Sequence, residues 1–224
     1  MKKDIDSLVA RKADRIAIDE MGIPSLDLMF NASKAVADFV MDNYPKKKIL
    51  IVCGTGNNGA DGLCAASILR EKGFDTTVNI LGEIEKGSWE FYYQLSQYKQ
   101  LKGVLSFNEK EVIDHDVLLD GLFGVGLSRK IEGKYYDYIE KLNAYQSVKV
   151  AIDVPSGLNP DNGTIMGICL KADVTITFGR NKCGFKDSAY TGRVIVKDIG
   201  IPDDVYESLL TKQNDESFKS ESVL

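Results

Sequence analysis

Three short polar segments carry the residue types from which chemistry can be built. The first is Gly54-x-Gly56-x-x-Gly59, with Asn57, Asn58, Ala60 and Asp61 set in and just after it. The second runs from Asp120-Gly121-Leu122-Phe123 through Gly124, Val125, Gly126, Leu127 and Ser128 to Arg129 and Lys130. The third is Asp153-Val154-Pro155-Ser156-Gly157. A glycine run of the first kind lets backbone N–H groups approach a phosphate. Asn57, Asn58 and Asp61 are more than such a loop requires. Carboxylates, carboxamides and a hydroxyl together suit a hard cation. A cation would also offset the repulsion of Asp61, Asp120 and Asp153 for one another and for a bound phosphate. Each segment has a plainer reading: tight turns for the glycines, a helix-start carboxylate for Asp61, a turn cap for Asp120, a turn for Pro155-Ser156-Gly157. What favours a ligand site is that all three begin where an apolar run ends.

Those apolar runs belong to the elements that must position the chemistry. Residues 49–53, 76–81, 103–107, 117–120, 149–152 and 174–178 read as strands, and 192–196 as an edge strand. Helical patterns fall between them. One covers residues 12–20. A second is capped by Ser25, has Asp27 in its first turn, and lines up Leu26, Met29, Ser33, Val36 and Val40. Others cover 61–71, stopping at Gly73, and 89–101, and a last one is marked by Tyr135, Tyr138, Ile139 and Leu142. Alternating strands and helices predict an α/β fold with a doubly wound, mostly parallel sheet. In such sheets ligands bind beyond the carboxyl ends of the strands, where the three segments fall. The chain reads as one domain over 1–224, with a core of about 13–203 and a polar tail fraying from about 212.

Composition narrows the possibilities. A formal charge of −5 argues against a nucleic-acid partner. No run approaches the ~20 apolar residues of a membrane span, and the first residues lack the apolar core of a signal peptide. Cys53, Cys64, Cys169 and Cys183 form no C-x-x-C pair, which suits reduced thiols in the cytoplasm. His115 is the only histidine and precedes a strand, so acid–base chemistry must fall on carboxylates, Lys or Tyr. Phe91-Tyr92-Tyr93 reads as a packed helix face and Lys46-Lys47-Lys48 as a solvated strand entry. Glu83 and Glu85 lie slightly late for a ribose-binding acid.

Six elements in order make the chain resemble the NAD(P)H-hydrate epimerase family, also called the YjeF N-terminal domain. They are Gly22-Ile-Pro-Ser with Leu28-Met29 and Asn31; Cys53-Gly-x-Gly-Asn-Asn-Gly-x-Asp-Gly62; Asp120-x-Leu-Phe-Gly-x-Gly-Leu127; Ala151-Ile-Asp-Val-Pro-Ser-Gly-Leu158; Lys171-Ala-Asp-x-Thr175; and Tyr190-Thr-Gly-Arg-Val with Asp198-Ile-Gly-Ile-Pro202. The resemblance implies a three-layer α/β/α Rossmann-like fold, a homodimer, and interconversion of the R and S forms of hydrated NADH and NADPH. It implies a potassium ion held by Asn58, Asp120 and Ser156. It implies substrate contacts at Asn57, Asn58, Gly59, Ala60, Asp61, the seven residues Gly124 to Lys130, Tyr135 and Asp153. We expect Asp153 to be the principal proton-transfer residue, with Arg129 or Lys130 adding positive charge.

The chain departs from the family pattern in four places. Ala60 stands for a glycine, Phe30 for a glutamate and Ser33 for a glycine, and Ser67 stands where many members have arginine. The dehydratase domain fused in many bacterial members does not accompany it. A non-catalytic nucleotide-binding or scaffold module is the alternative reading, with Phe30 and Ala60 as signs of drift. A conventional NAD-dependent dehydrogenase is disfavoured by the missing substrate domain.

Overall fold

Ile49-Leu50-Ile51-Val52 is apolar at every position, so a strand formed from it must be covered on both faces. A computed structural model describes residues 2–221, with side chains described to residue 213 in the last helix. Its strands are β1 (Lys48–Cys53), β2 (Asp75–Ile80), β3 (Val104–Ser106), β4 (Val117–Gly121), β5 (Val148–Ile152), β6 (Val174–Phe178) and β7 (Arg193–Lys197). They form one sheet in the order β3-β2-β1-β4-β5-β6-β7, and every pair is parallel. The order reverses direction between β1 and β4, the switch point at which such sheets open a crevice.

The helices are α1 (Ser7–Arg15), α2 (Ser25–Asn43), α3 (Asn57–Glu71), α4 (Trp89–Gln100), α5 (Lys134–Ala144) and α6 (Asp203–Glu221). Strand alternation divides the core. Ile49, Ile51 and Cys53 join α2, α3 and α4 on one face. Leu50, Val52 and Leu118 meet Tyr138, Ile139 and Leu142 of α5 on the other. A separate cluster joins Val9 and Ala13 of α1, and Ala17 just beyond it, to Val205, Tyr206 and Leu209 of α6. This gives three layers, with α1 and α6 packed as a pair.

Several boundaries differ from the sequence reading for local reasons. The first helix starts at Ser7, not residue 12, because the Asp6 carboxylate accepts the Val9 N–H at 2.7 Å and caps it. It then widens into a π-helical turn, Ile16–Glu20. Ser25 does not cap α2: Pro24 holds the cap position and Ser25 is the first helical residue. The helix after the glycines starts at Asn57, not Asp61, so residues 57–60 form its first turn. The last helix continues past residue 212, and the fraying expected of its end concerns side chains outside the described residues. Phe91 is buried, but Tyr92 and Tyr93 of the same expected face are exposed. No described helix is long and apolar enough to cross a membrane.

Candidate active site

Beyond the carboxyl ends of β1, β4, β5 and β6 lies a cavity of about 610 Å³. The glycine turn forms one side. A Cβ on Gly54 would stand 2.2 Å from the Leu122 carbonyl oxygen, and one on Gly59 1.9 Å from that of Gly54. These two glycines are required by close backbone approach. Nothing lies within 4 Å of a Cβ on Gly56, which faces open cavity at the N-terminus of α3. Free N–H groups at a helix start and the helix dipole together favour an anion there. Asn57 and Asp61, four residues apart on α3, share the face that lines the cavity.

Asp120, the penultimate residue of β4, does not line the cavity. It is 1% exposed and lies beneath the loop that follows. Its carboxylate accepts Ser156 Oγ at 2.6 Å, the Ser156 N–H at 2.8 Å and the Leu122 N–H at 3.2 Å. Ser156 Oγ in turn accepts the Phe123 N–H at 2.9 Å. Burial pushes the Asp120 carboxyl up to about 6, and its hydrogen bonds from Ser156 and Leu122 only partly oppose this. No cationic side chain pairs with it among the described residues. Asn58 lies alongside: a Cβ on Gly124 would stand 3.1 Å from its amide oxygen, and its buried amide nitrogen has no partner.

Asp153 follows β5 with a left-handed backbone, φ 63°, a conformation that Asp and Asn adopt more readily than other non-glycine residues. That turn brings Oδ1 to Thr177 Oγ1 at 3.1 Å, to the Phe178 N–H at 3.3 Å and to Lys182 Nζ at 3.1 Å. Lys182 is 2% exposed and also donates to Thr177 Oγ1 and to the carbonyls of Phe178 and Arg180. The segment carrying it is fixed by a parallel bridge to Ile5. Asp14 of α1, Glu90 of α4 and Tyr206 of α6 line the same cavity. Burial first, then the charges of Asp153, Asp14 and Glu90, raise the Asp61 carboxyl well above its usual range. Burial and Asp153 raise Asp14 to about 6, with Lys182 opposing.

Of the residues singled out in the sequence, Asn57, Asn58, Asp61, Gly124, Val125, Gly126, Leu127, Ser128, Arg129, Tyr135 and Asp153 line the cavity. Gly59 and Ala60 do not; both are buried in α3 behind its wall. Lys130 is exposed and lies outside the lining, as it follows a loop whose earlier residues turn inward. The expected mutual repulsion of Asp61, Asp120 and Asp153 is corrected: Asp120 is screened below the floor, and Asp61 faces Asp153, Asp14 and Glu90 instead. Ala60 occupies a buried helical position in the first turn of α3. Ser33 is buried and donates to the Asp61 carbonyl at 3.0 Å. Phe30 and Ser67 line a different hollow between α2, α3 and α4. Glu83 pairs with Lys86 at 2.7 Å, and neither Glu83 nor Glu85 lines the cavity. His115 stacks on Tyr145 ahead of β4, at the sheet's other end. Cys53, Cys64 and Cys169 are buried, whereas Cys183 is exposed.

Sequence reasoning missed Asp14, Glu90, Lys182 and Tyr206. Lys182 had a signal, since it follows a fourth strand end, that of β6, on the same rim. Asp14, Glu90 and Tyr206 had none, because each is one polar position on an ordinary helix.

A parallel sheet wound on both faces, with its cavity at the switch point, defines the class: a Rossmann-like α/β protein built to hold a ligand at strand ends. The family model described as "YjeF-related protein N-terminus" matches residues 25–184, and the chain belongs to that family. It is 41% identical over 194 residues to the NAD(P)H-hydrate epimerase of Limosilactobacillus fermentum, covering 84% of this chain and 92% of that protein. It is 35% identical over 205 residues to the enzyme of the same name from Levilactobacillus brevis, covering 90% of this chain and 95% of that one. Among solved structures it is similar to yeast ynu0, YNL200c, with a TM-score of 0.75 at 21% identity. That match covers 87% of this chain and 88% of the yeast chain, and it concerns the fold.

Proposed function

We propose that this chain is an epimerase that interconverts the R and S forms of hydrated NADH and NADPH, a repair of damaged cofactor. The observation that carries the reading is the Asp153–Lys182 pair at 3.1 Å, opening on the cavity that also holds the start of α3. It occurs in a chain 41% identical to a protein named NAD(P)H-hydrate epimerase. The dinucleotide phosphates lie at the N-terminus of α3, near Gly56 and Asn57. Arg129 at the rim adds charge. The hydrated ring reaches the carboxylates, where Asp153 exchanges a proton with it. Lys182 holds Asp153 in one orientation, as proton transfer requires.

Potassium is the cation we assign to Asn58, Asp120 and Ser156. The donor chemistry supports it: one buried carboxylate with no cationic partner, a hydroxyl, and a carboxamide whose nitrogen is orphaned. Carbonyl and hydroxyl oxygens around a single negative charge suit a weakly hydrated monovalent ion better than a divalent one. When bound, the ion would offset the Asp120 charge and tie the Phe123–Gly124 turn to α3. A homodimer is proposed on the exposed Phe30, Trp89 and Tyr93, and light scattering checks it. We place the protein in the cytoplasm, consistent with four unpaired cysteines.

The test mixes purified protein with each separated hydrate epimer in potassium buffer and follows interconversion by chromatography. Epimers that equilibrate faster than in buffer alone support the reading. Nucleotide binding with the uncatalysed rate of interconversion would support the scaffold alternative.

A further inference from the structure

We infer that Asp14, on the first helix, is the second proton-transfer group of the reaction, acting with Asp153 in the same cavity. The inference rests on the epimerase reading above and adds a residue that lies outside the span of the family match, residues 25–184.

The chemistry asks for two groups. Water adds to an enamine by protonation at the double-bond carbon farther from nitrogen, which leaves an iminium that water captures at the carbon bonded to nitrogen. The hydroxyl of the hydrated ring therefore sits on a carbon next to the ring nitrogen. To invert it, the C–O bond breaks as the oxygen takes a proton and leaves as water. The nitrogen lone pair becomes the second bond of a C=N⁺ group. Water then forms a new C–O bond on the other ring face and gives up one proton as the lone pair returns to nitrogen. One group supplies a proton and another accepts one, so no outside reactant is consumed and the roles exchange in the reverse direction. A single carboxylate held beside one ring face cannot do both without leaving its place.

Asp153 is so held, by Lys182, Thr177 and the Phe178 N–H. Asp14 is the complementary case. It lines the cavity from a different element and, among the described residues, makes no hydrogen bond or ion pair of its own. Its helix is nonetheless fixed. Ala13 and Ala17 pack against α6, Arg11 Nη1 donates to the Val125 carbonyl at 3.3 Å, and Ile5 bridges to Lys182. Arg11, Asp14 and Ile18 recur at helical spacing along the face that lines the cavity. The charged and titratable groups facing Asp14 are Asp153, Lys182, Asp61 and Tyr206. Asp14 is exposed on the cavity wall, and partial desolvation there together with the charge of Asp153 raises its carboxyl toward the range of a group that gives and accepts protons.

The experiment measures kcat and KM for epimerisation, corrected for the uncatalysed rate, across pH 5 to 9 for wild type, Asp14→Asn and Asp14→Glu. We expect kcat of Asp14→Asn to fall at least ~100-fold, the low end for general acid–base catalysis, with KM and melting temperature little changed. Asp14→Glu should recover part of the rate. In wild type the rate should fall as pH rises through the raised range of the Asp14 carboxyl, and Asp14→Asn should lose that limb. Wild-type activity in Asp14→Asn overturns the inference, and so does a loss carried by KM or by unfolding that glutamate does not repair. A wild-type protein with no activity sinks the epimerase reading instead, which is a separate result.

Discussion

Asp120 and Asp153 end neighbouring strands of one sheet, yet the fold treats the two carboxylates oppositely. Asp120 points below the floor and is saturated by neutral donors: a hydroxyl and two backbone N–H groups. It ties the loop after β4 to the loop after β5 and carries a buried charge with no side-chain cation to answer it. Asp153 is answered by Lys182 and left open to the cavity. Adjacent residues in a strand face opposite sides, so on β4 Leu119 packs toward α3 while Leu118 and Asp120 share the α5 side. Asp153 escapes this alternation through its left-handed backbone, which re-aims the carboxylate into the crevice. The lesson is that position at a strand end brings a residue to the rim, while local backbone geometry decides whether it does chemistry or holds the rim together.

The largest effect should come from Asp153→Asn. Asparagine tolerates φ 63° as well as aspartate does, so the fold should remain. Epimerisation should drop by ~100-fold or more. An Asp153→Asn variant as fast as wild type, in the chromatographic assay, would erase the contrast drawn above and move the chemistry to Asp61 or Asp14.

Next in size is a stability effect of Asp120. Its folded value, about 6, lies above the unbound value of 3.8. Its stabilising contribution is therefore complete below pH 3.8 and is lost as pH rises through 6. The loss is on the order of 3 kcal/mol above neutrality. The proposed potassium ion would offset that loss, because it binds the ionised form. Thermal melts in potassium against a bulky organic cation should show a gain at pH 8 that shrinks by pH 5. Asp120→Ala should abolish the gain. An equal potassium effect at both pH values would count against a cation at this carboxylate.

Lys182→Met sharpens the other side of the comparison. Removing the amine leaves Asp153 largely buried without its partner and removes the charge-assisted hydrogen bonds of Lys182, so we expect destabilisation of about 2–3 kcal/mol in urea titrations. The surviving enzyme should be slower at every pH, since Asp153 loses the contact at 3.1 Å that orients it. A folded variant with unchanged kcat would mean that Lys182 braces the backbone and does not position Asp153.

The smallest effect concerns the rim cations. Arg129→Ala should weaken dinucleotide binding by about 1 kcal/mol, the scale of one exposed charge-assisted hydrogen bond. Lys130→Ala should leave calorimetric affinity unchanged, because Lys130 lies outside the cavity lining. Equal losses at the two positions would put the phosphates further out than the start of α3.

Most of the sheet was legible, because a strand buried on both faces must be written in continuous apolar residues. Segments such as Lys149–Ile152, read from valine and isoleucine, match β5 to within one residue. The boundaries that escaped depend on single polar contacts. Asp6 starts α1 five residues early, at Ser7 rather than residue 12, and Asn57 opens α3 although asparagine reads as loop. In the site, Asn57, Asp61, the 124–129 loop and Asp153 were legible because each directly follows a strand.

The amino-acid sequence by itself determined the doubly wound sheet, the rim on which three polar segments meet, and the family to which the chain belongs. Those properties are local: runs, spacings and motifs within a few residues of one another. Only the tertiary structure decided that Asp120 lies under the floor, that Lys182 answers Asp153, and that α1 and α6 carry Asp14 and Tyr206 to the cavity. Residues 14, 153, 182 and 206 are far apart in the chain. Their meeting depends on α1 packing against α6 and on Ile5 pairing beside Lys182, contacts that no periodicity records. A carboxylate's charge state is set by what surrounds it, and its surroundings exist only once the chain has folded.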